Sequence, residues 1–261
     1  MQNMIYDYEN FKKDVYQLTN INLSLYKERQ MKRRIESLMR RKGYTTFDAY
    51  FAAMKKDPAL LRAFVSYLTI NVSEFYRNPK QWELFENQMI PYLEKCFGKQ
   101  IHIWSAACST GDEPYTIAMI LARHFPLSQI KIYATDIDED VLAFAKEGIY
   151  SERSLERLPK DLLQKHFTKQ GKDYQINADL KACVEFRKHN LLEDKYPTGM
   201  HMIVCRNVVI YFTDEAKDKV YEKFHNTLVK DGILFIGSTE QIIHAKEIGF
   251  DSVDSFFYKK I

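Results

Sequence analysis

The chain has 261 residues, enough to bury a sizeable core in one large domain with a small companion, or in two modest domains. With 46% hydrophobic and 28% charged residues it has the balance of a folded globular protein, which excludes a disordered or low-complexity chain. The formal net charge is only +3, a small value for a polyanion binder, but the charge is unevenly placed.

Met1 to Asn10 carries Asp7 and Glu9 and lacks a basic start followed by an apolar stretch, so no signal peptide is expected. The longest apolar runs, such as Ile117 to Ala122, reach about a third of the ~20 residues of a membrane helix. A cytoplasmic protein that meets membranes only through a partner is the expectation. Cys96, Cys108, Cys183 and Cys205 are scattered, with no Cys-x-x-Cys pair and no histidine at zinc-site spacing. They read as reduced thiols, with no metal.

The first ~75 residues hold a single glycine, Gly43, and read as helices. Met31, Ile35, Leu38 and Met39 recur at three- and four-residue spacing and define one apolar face. The same stretch, Lys27 to Lys42, contains eight basic residues against Glu28 and Glu36, so its other face is cationic and suits an acidic partner. Gly43 follows the basic last turn, as expected at a helix C-terminus. Thr45, three residues before Asp48, gives an N-terminal capping pattern for the next helix, which Pro58 interrupts before Leu60 to Leu68 resumes.

From about residue 100 short apolar strands alternate with helices. Ile101 to Trp104, Ile130 to Ala134, Met200 to Cys205 and Ile233 to Gly237 read as strands; Pro114 to His124, Glu139 to Lys146 and Glu215 to Leu228 read as helices. That alternation implies a doubly wound α/β fold around a parallel sheet. Phe250 to Val253 and Phe256 to Lys259 predict a closing antiparallel hairpin. Between about 160 and 188 the rhythm breaks, and alternating Tyr174, Ile176, Val184 and Phe186 suggest a small β insert.

Ligands of open parallel sheets bind where the strands end. The first strand runs into Ser105-Ala106-Ala107-Cys108-Ser109-Thr110-Gly111-Asp112-Glu113-Pro114, with neither a G-x-G-x-x-G nor a P-loop pattern. Asp112 and Glu113 there repel phosphates and attract a cation such as an amino group. The second strand ends at Asp136, where a carboxylate can accept both hydroxyls of a ribose. A ribose, an α-amino group and no phosphate together describe S-adenosylmethionine.

Three segments carry a resemblance to the CheR-type chemotaxis receptor glutamate methyltransferases: Ser105 to Tyr115, Asn71-Val72-Ser73-Glu74-Phe75-Tyr76-Arg77, and Cys205-Arg206-Asn207-Val208-Val209-Ile210-Tyr211-Phe212. The resemblance extends along nearly the whole chain. It implies a Rossmann-like class I methyltransferase sheet in residues 76–261, preceded by a helical substrate-docking domain in 1–75. It implies that Asn71, Ser73 and Arg77 reach the cofactor, that Glu113 holds its amino group and Asp136 its ribose. Asn190 and Leu191 would border the adenine, and Asn207 and Val208 the reacting end. Arg77 and Tyr211 are the expected catalytic pair, and S-adenosyl-L-homocysteine the product.

For the basic helix, the resemblance implies that Arg29, Lys32, Arg33 and Arg40 dock on the acidic cytoplasmic helices of chemotaxis receptors. Members that tether to a receptor pentapeptide carry a longer insert hairpin with a Gly-x-Gly pattern; here Thr168-Lys169-Gln170-Gly171-Lys172-Asp173 is shorter, so no tether is expected. The competing readings are a nucleic-acid methyltransferase and a non-catalytic binding module. An Asn-Pro-Pro-Tyr-like motif or a Pro-Cys pair would favour the former, and the sequence has neither.

Overall fold

A computed structural model describes residues 7–261; the opening part of the segment expected to lack a signal peptide, residues 1–6, lies outside the described residues. The chain divides into two compact units, one reaching to Asn71 and including Tyr211–Lys219, the other made of Val72–Ile210 and Val220–Ile261.

The first unit is helical, with α1 (Tyr8–Thr19), α2 (Glu28–Arg41), α3 (Phe47–Lys56) and α4 (Pro58–Leu68). Asp7 caps α1 by accepting from Asn10 N at 3.0 Å. Phe11, fully buried, meets Phe47 at 4.9 Å and the edge of Phe64 at 6.0 Å between centroids, which knits α1, α3 and α4 together. α2 buries Met31, Ile35, Leu38 and Met39, the predicted face, and Gly43 follows it at φ 83°, the left-handed conformation glycine adopts without strain. The cap of α3 is Thr46, whose hydroxyl accepts from Ala49 N at 3.3 Å, and not Thr45. Pro58 opens α4 at a first-turn position where its missing N–H is harmless, while Asp57 accepts from Ala59 N and Leu60 N. The later Tyr211–Lys219 segment joins this unit through Lys27 N to Tyr211 O at 3.0 Å and an edge contact of Phe212 with Tyr26.

The second unit opens with α5 (Pro79–Leu84), a π-helical turn at Phe85–Met89 and α6 (Ile90–Phe97), elements not among those predicted. Then follow β1 (His102–Ala106), α7 (Asp112–Leu121), β2 (Lys131–Asp136), α8 (Glu139–Glu147), β3 (Ile149–Ser151), α9 (Lys160–His166), β4 (Phe167–Gln170), β5 (Asp173–Ile176), α10 (Ala178–Lys181) and β6 (Val184–Lys188). β7 (Met200–Cys205), α11 (Asp214–Thr227), β8 (Leu228–Ile236), α12 (Ala245–Ile248), β9 (Phe250–Asp254) and β10 (Phe257–Lys260) complete the chain.

The main sheet has the order β6-β2-β1-β7-β8-β10-β9. Its first five strands are parallel, and β10 runs antiparallel between β8 and β9 as the predicted hairpin. Trp104, Ile233, Leu234 and Phe235 are fully buried, as befits strands covered on both faces. The strand order reverses on either side of β1, so the carboxyl ends of β1 and β7 flank the crevice where such sheets take ligands.

The insert differs from its expected bounds. β3, β4 and β5 form a separate three-stranded antiparallel sheet, which begins at Ile149, ahead of residue 160. Val184 and Phe186 do not belong to it: they lie in β6, paired with Ile132 and Ala134 of β2. The alternation that suggested an insert strand arises because β6 is an edge strand of the main sheet, with Glu185 and Arg187 exposed.

Candidate cofactor and methyl-transfer site

The loop after β1 is bent by three left-handed residues, Ala107 (φ 64°), Ser109 (φ 49°) and Gly111 (φ 89°). A Cβ on Gly111 would lie 2.8 Å from Ala145 Cβ and 3.0 Å from the Tyr150 hydroxyl, so only glycine fits there. The turn aims Ser109 N at Asp136, whose Oδ2 accepts at 2.8 Å while Oδ1 accepts from Asp138 N at 3.0 Å. Asp136 is buried at the end of β2. Burial pushes its carboxyl up to about 6 against the pull of the backbone donors.

Glu113, in the first turn of α7, is also desolvated and shifted upward, a rise moderated by Arg206 and Ser105. Ser105 Oγ donates to its Oε1 at 2.8 Å, and Arg206 Nη1 stands 3.7 Å from its Oε2. The neighbouring Asp112 is committed elsewhere: Thr110 Oγ1 donates to it at 2.5 Å, and the Ser73 hydroxyl is a second partner. Of the two adjacent acids, Glu113 is thus the one outside the loop's own hydrogen bonding. Ser73 reaches the cofactor loop through Asp112.

His189 N donates to Asp136 O at 2.8 Å, which carries Asn190 and Leu191 to the β2 end. Asn190 Oδ1 accepts from Leu192 N at 3.0 Å, and Asp194 Oδ2 accepts from Asn190 N at 2.8 Å; this closed turn presents the buried Leu191. At the end of β7, Asn207 (φ 61°) and Val208 are held by one carboxylate. Glu240 accepts from Asn207 N at 2.8 Å, Val208 N at 3.0 Å and Gly237 N at 2.6 Å. Arg77 is half-buried, with Nη1 donating to Val72 O at 3.3 Å.

Ser73, Arg77, Glu113, Asp136, Asn190, Leu191, Asn207 and Val208 therefore all lie in the second unit, most of them at the carboxyl ends of β1, β2, β6 and β7. Asn71 and Tyr211 belong to the helical unit. There Asn71 Nδ2 donates to Ser66 O and Oγ, both at 3.4 Å. The Tyr211 side chain is part-exposed.

Arg206 and Glu240 were not anticipated as site residues. Arg206 stands directly before Asn207 in the quoted segment, which was a signal. Glu240 follows the end of β8 by four positions in a stretch with no pattern of its own.

The basic residues of α2 divide into two groups. Arg29, Arg33 and Arg40 are exposed, and Lys32 lies over the Tyr8 ring at 5.3 Å. Arg34 and Arg41 instead stack on Tyr67, each with its guanidinium carbon 4.7 Å from the centroid, and Arg34 also donates to Tyr67 O at 2.6 Å. Those two are structural clamps on α4.

The acceptor-rich set fits S-adenosylmethionine. Glu113 suits an ammonium, Asp136 keeps lone pairs for ribose hydroxyls, and the buried hydroxyl of Ser109, whose N–H binds Asp136, has no protein partner. A parallel sheet of this order, with an acidic first loop and an acidic second strand end, defines a class I S-adenosylmethionine-dependent methyltransferase. Comparison with known families narrows this. Residues 71–256 match "CheR methyltransferase, SAM binding domain", and residues 6–69 match "CheR methyltransferase, all-alpha domain". The chain belongs to the CheR methyltransferase family, and its cofactor is S-adenosylmethionine.

It is 42% identical over 254 residues to the chemotaxis protein methyltransferase of Listeria innocua serovar 6a, covering 97% of both chains. The chemotaxis protein methyltransferase of Borreliella burgdorferi is 36% identical, over 91% of this chain and 89% of its own. That of Escherichia coli K12 is 32% identical, over 88% of this chain and 82% of its own. Among the described residues no helix is long and apolar enough to cross a membrane, and no group of three or more His, Cys, Asp or Glu is placed to hold a metal ion.

Proposed function

We propose that this methyltransferase esterifies glutamate side chains in the cytoplasmic helical domain of chemotaxis receptors, acting in the cytoplasm and recruited to membrane-bound receptors. The observation that carries the reading is kinship along nearly the whole chain with chemotaxis protein methyltransferases. When bound, S-adenosylmethionine supplies an electrophilic methyl group on a sulfonium. A glutamate of ordinary pKa, roughly 4.3, is ionised at neutral pH, so the enzyme needs no base. Its contribution is proximity and alignment, for which roughly 7 to 11 kcal/mol of barrier is available.

In this reading Glu113 holds the amino group, Asp136 the ribose, and Asn190 and Leu191 border the adenine. Asn71 and Ser73 contribute from the linker, and Asn207 and Val208 lie beside the reacting end. Arg77 holds one oxygen of the substrate carboxylate by a charge-assisted bond, and the Tyr211 hydroxyl orients the same group. Tyr211→Phe should lower kcat about tenfold with cofactor Kd unchanged, since one neutral hydrogen bond made in the transition state is lost. An equal loss in both parameters counts against that role.

Residues 1–75 serve as the docking domain, with the exposed Arg29, Arg33 and Arg40, together with Lys32, meeting acidic receptor helices. Tether independence is part of this reading, and the two-residue link between β4 and β5, Gly171 and Lys172, supports it. The test combines methyl-labelled cofactor with membranes bearing receptors with or without a C-terminal pentapeptide, followed by alkali. Glutamyl methyl esters release labelled methanol, and both receptors should be labelled equally. Label that survives alkali, or sits on nucleic acid, overturns the ester; a marked preference for tailed receptors overturns tether independence.

A further inference from the structure

Arg77 sits in a turn that its own sequence disfavours. Tyr76 (φ 55°) and Asn78 (φ 60°) flank it in the left-handed region, which asparagine tolerates but which a bulky residue such as Tyr76 adopts only under constraint. One side chain 129 positions along the chain, just past the end of β7, holds that turn. The two N–H groups of Arg206 Nη2 serve three acceptors, Gln81 Oε1 at 2.6 Å, Arg77 O at 2.9 Å and, through a shared hydrogen, Asn78 Oδ1 at 3.3 Å. Its guanidinium lies 4.9 Å from the Trp82 centroid and 4.8 Å from that of Phe235. Its Nη1 faces Glu113 Oε2 at 3.7 Å. Arg206 is 8% exposed, so these contacts are made out of water.

We infer that Arg206 is a positioning residue: it fixes the Tyr76–Asn78 turn so that Arg77 is aimed at the reacting carboxylate. The inference rests on the catalytic role proposed above for Arg77. A guanidinium is required because the contact is a planar fork wedged between two rings, with donors on one nitrogen for the turn and on the other for Glu113. A lysine ammonium keeps the charge beside Glu113 but is a single point, unable to span both. Arg206 is thereby shared between the acid that takes the cofactor's amino group and the turn that carries Arg77. The carbonyl of Arg77 is held at one face and Tyr76 N at another, where it donates to Thr116 Oγ1 at 3.3 Å.

The test is a double-mutant cycle on the full chain, with Arg206→Lys, Arg77→Ala and the double variant, reading kcat and the Kd of S-adenosylhomocysteine. Arg206→Lys should lower kcat about 30-fold and leave Kd within about threefold; Arg77→Ala should lower kcat about 100-fold; and the double variant should be no worse than Arg77→Ala alone, because residues acting as a unit are non-additive. A merely structural Arg206 predicts losses that multiply, to about 3,000-fold, and that outcome overturns the inference while leaving Arg77 catalytic. Wild-type kcat in Arg206→Lys, or a Kd that rises in step with the fall in kcat, overturns it as well. Wild-type kcat in Arg77→Ala instead removes the catalytic role of Arg77, and the inference falls with it. Should Arg206→Lys fail to fold, Gln81→Met removes the 2.6 Å acceptor at nearly constant volume, and the same cycle is read on that variant.

Discussion

Glu240→Gln should cost the protein on the order of 2 to 4 kcal/mol of stability, read as a lowered urea midpoint at pH 7 with an unchanged slope. Glu240 is 6% exposed, and its carboxylate faces backbone donors: Asn207 N and Gly237 N at Oε2, Val208 N at Oε1, with the Val209 amide beside them. Only an acceptor at both oxygens satisfies them. An amide keeps one oxygen and turns an NH2 group on whichever amide remains, so a buried N–H loses its acceptor and meets another donor. The bonds that persist also lose their charge assistance. The surroundings cannot relax to help, since even a Cβ on Gly237 would lie 2.7 Å from Glu240 Oε2 and 2.8 Å from Asn207 N. Because the clamp holds Asn207 in its left-handed conformation, cofactor affinity should fall together with stability. An unchanged midpoint would mean that the β7 and β8 ends hold their shape without the carboxylate.

The contrast between Glu240 and Asp136 shows what the sequence made legible. The position of Asp136 could be read because it depends on one strand: an apolar run that ends in an acid places that acid at the carboxyl edge of a parallel sheet. The same logic placed Glu113 just beyond the first strand, and the alternation of strands and helices gave a parallel sheet but not its strand order. Glu240 and Arg206 act on segments 32 to 129 positions away in the chain, and no local pattern encodes such a pairing. Val184 and Phe186 illustrate a different limit. Alternation reports that one face of a strand is buried, not which sheet buries it, so an edge strand of the main sheet was read as part of the insert. Thr45 and Thr46 are equally good caps by composition, and backbone geometry alone chose Thr46. Helices α5 and α6 carry a legible signal of their own, since the buried Trp82, Phe85, Met89 and Leu93 follow one another at intervals of three, four and four residues; what the spacing does not disclose is the π-helical turn at Phe85–Met89.

Asp136→Asn should weaken cofactor binding by roughly a thousandfold, equivalent to about 4 kcal/mol. Asp136 is buried and already accepts from Ser109 N and Asp138 N, and in the proposed site it also accepts from two ribose hydroxyls. Asparagine replaces one of these acceptor oxygens by a donor and removes the negative charge from the remaining bonds, each worth roughly 1.5 to 3 kcal/mol when charged. The wild-type enzyme carries a matching pH signature. In the free protein burial raises the Asp136 carboxyl to about 6 from an ordinary 3.8, so the folded state retains a proton that the unfolded state has lost. That group therefore favours the free protein most below pH 4, and the advantage, at most about 3 kcal/mol, is lost as the pH rises through 6. Hydroxyls donating to the carboxylate favour its ionised form, so cofactor binding must release protons near that pH. Affinity for S-adenosylhomocysteine, measured calorimetrically from pH 5 to 8, should rise with pH and level off above about 6.5, with proton release greatest on the acidic side. Asp136→Asn should flatten this rise, leaving only the weaker dependence from Glu113, which burial shifts in the same direction. A wild-type affinity independent of pH between 5 and 7 would show that Asp136 stays ionised in the free protein, with the backbone donors outweighing its desolvation.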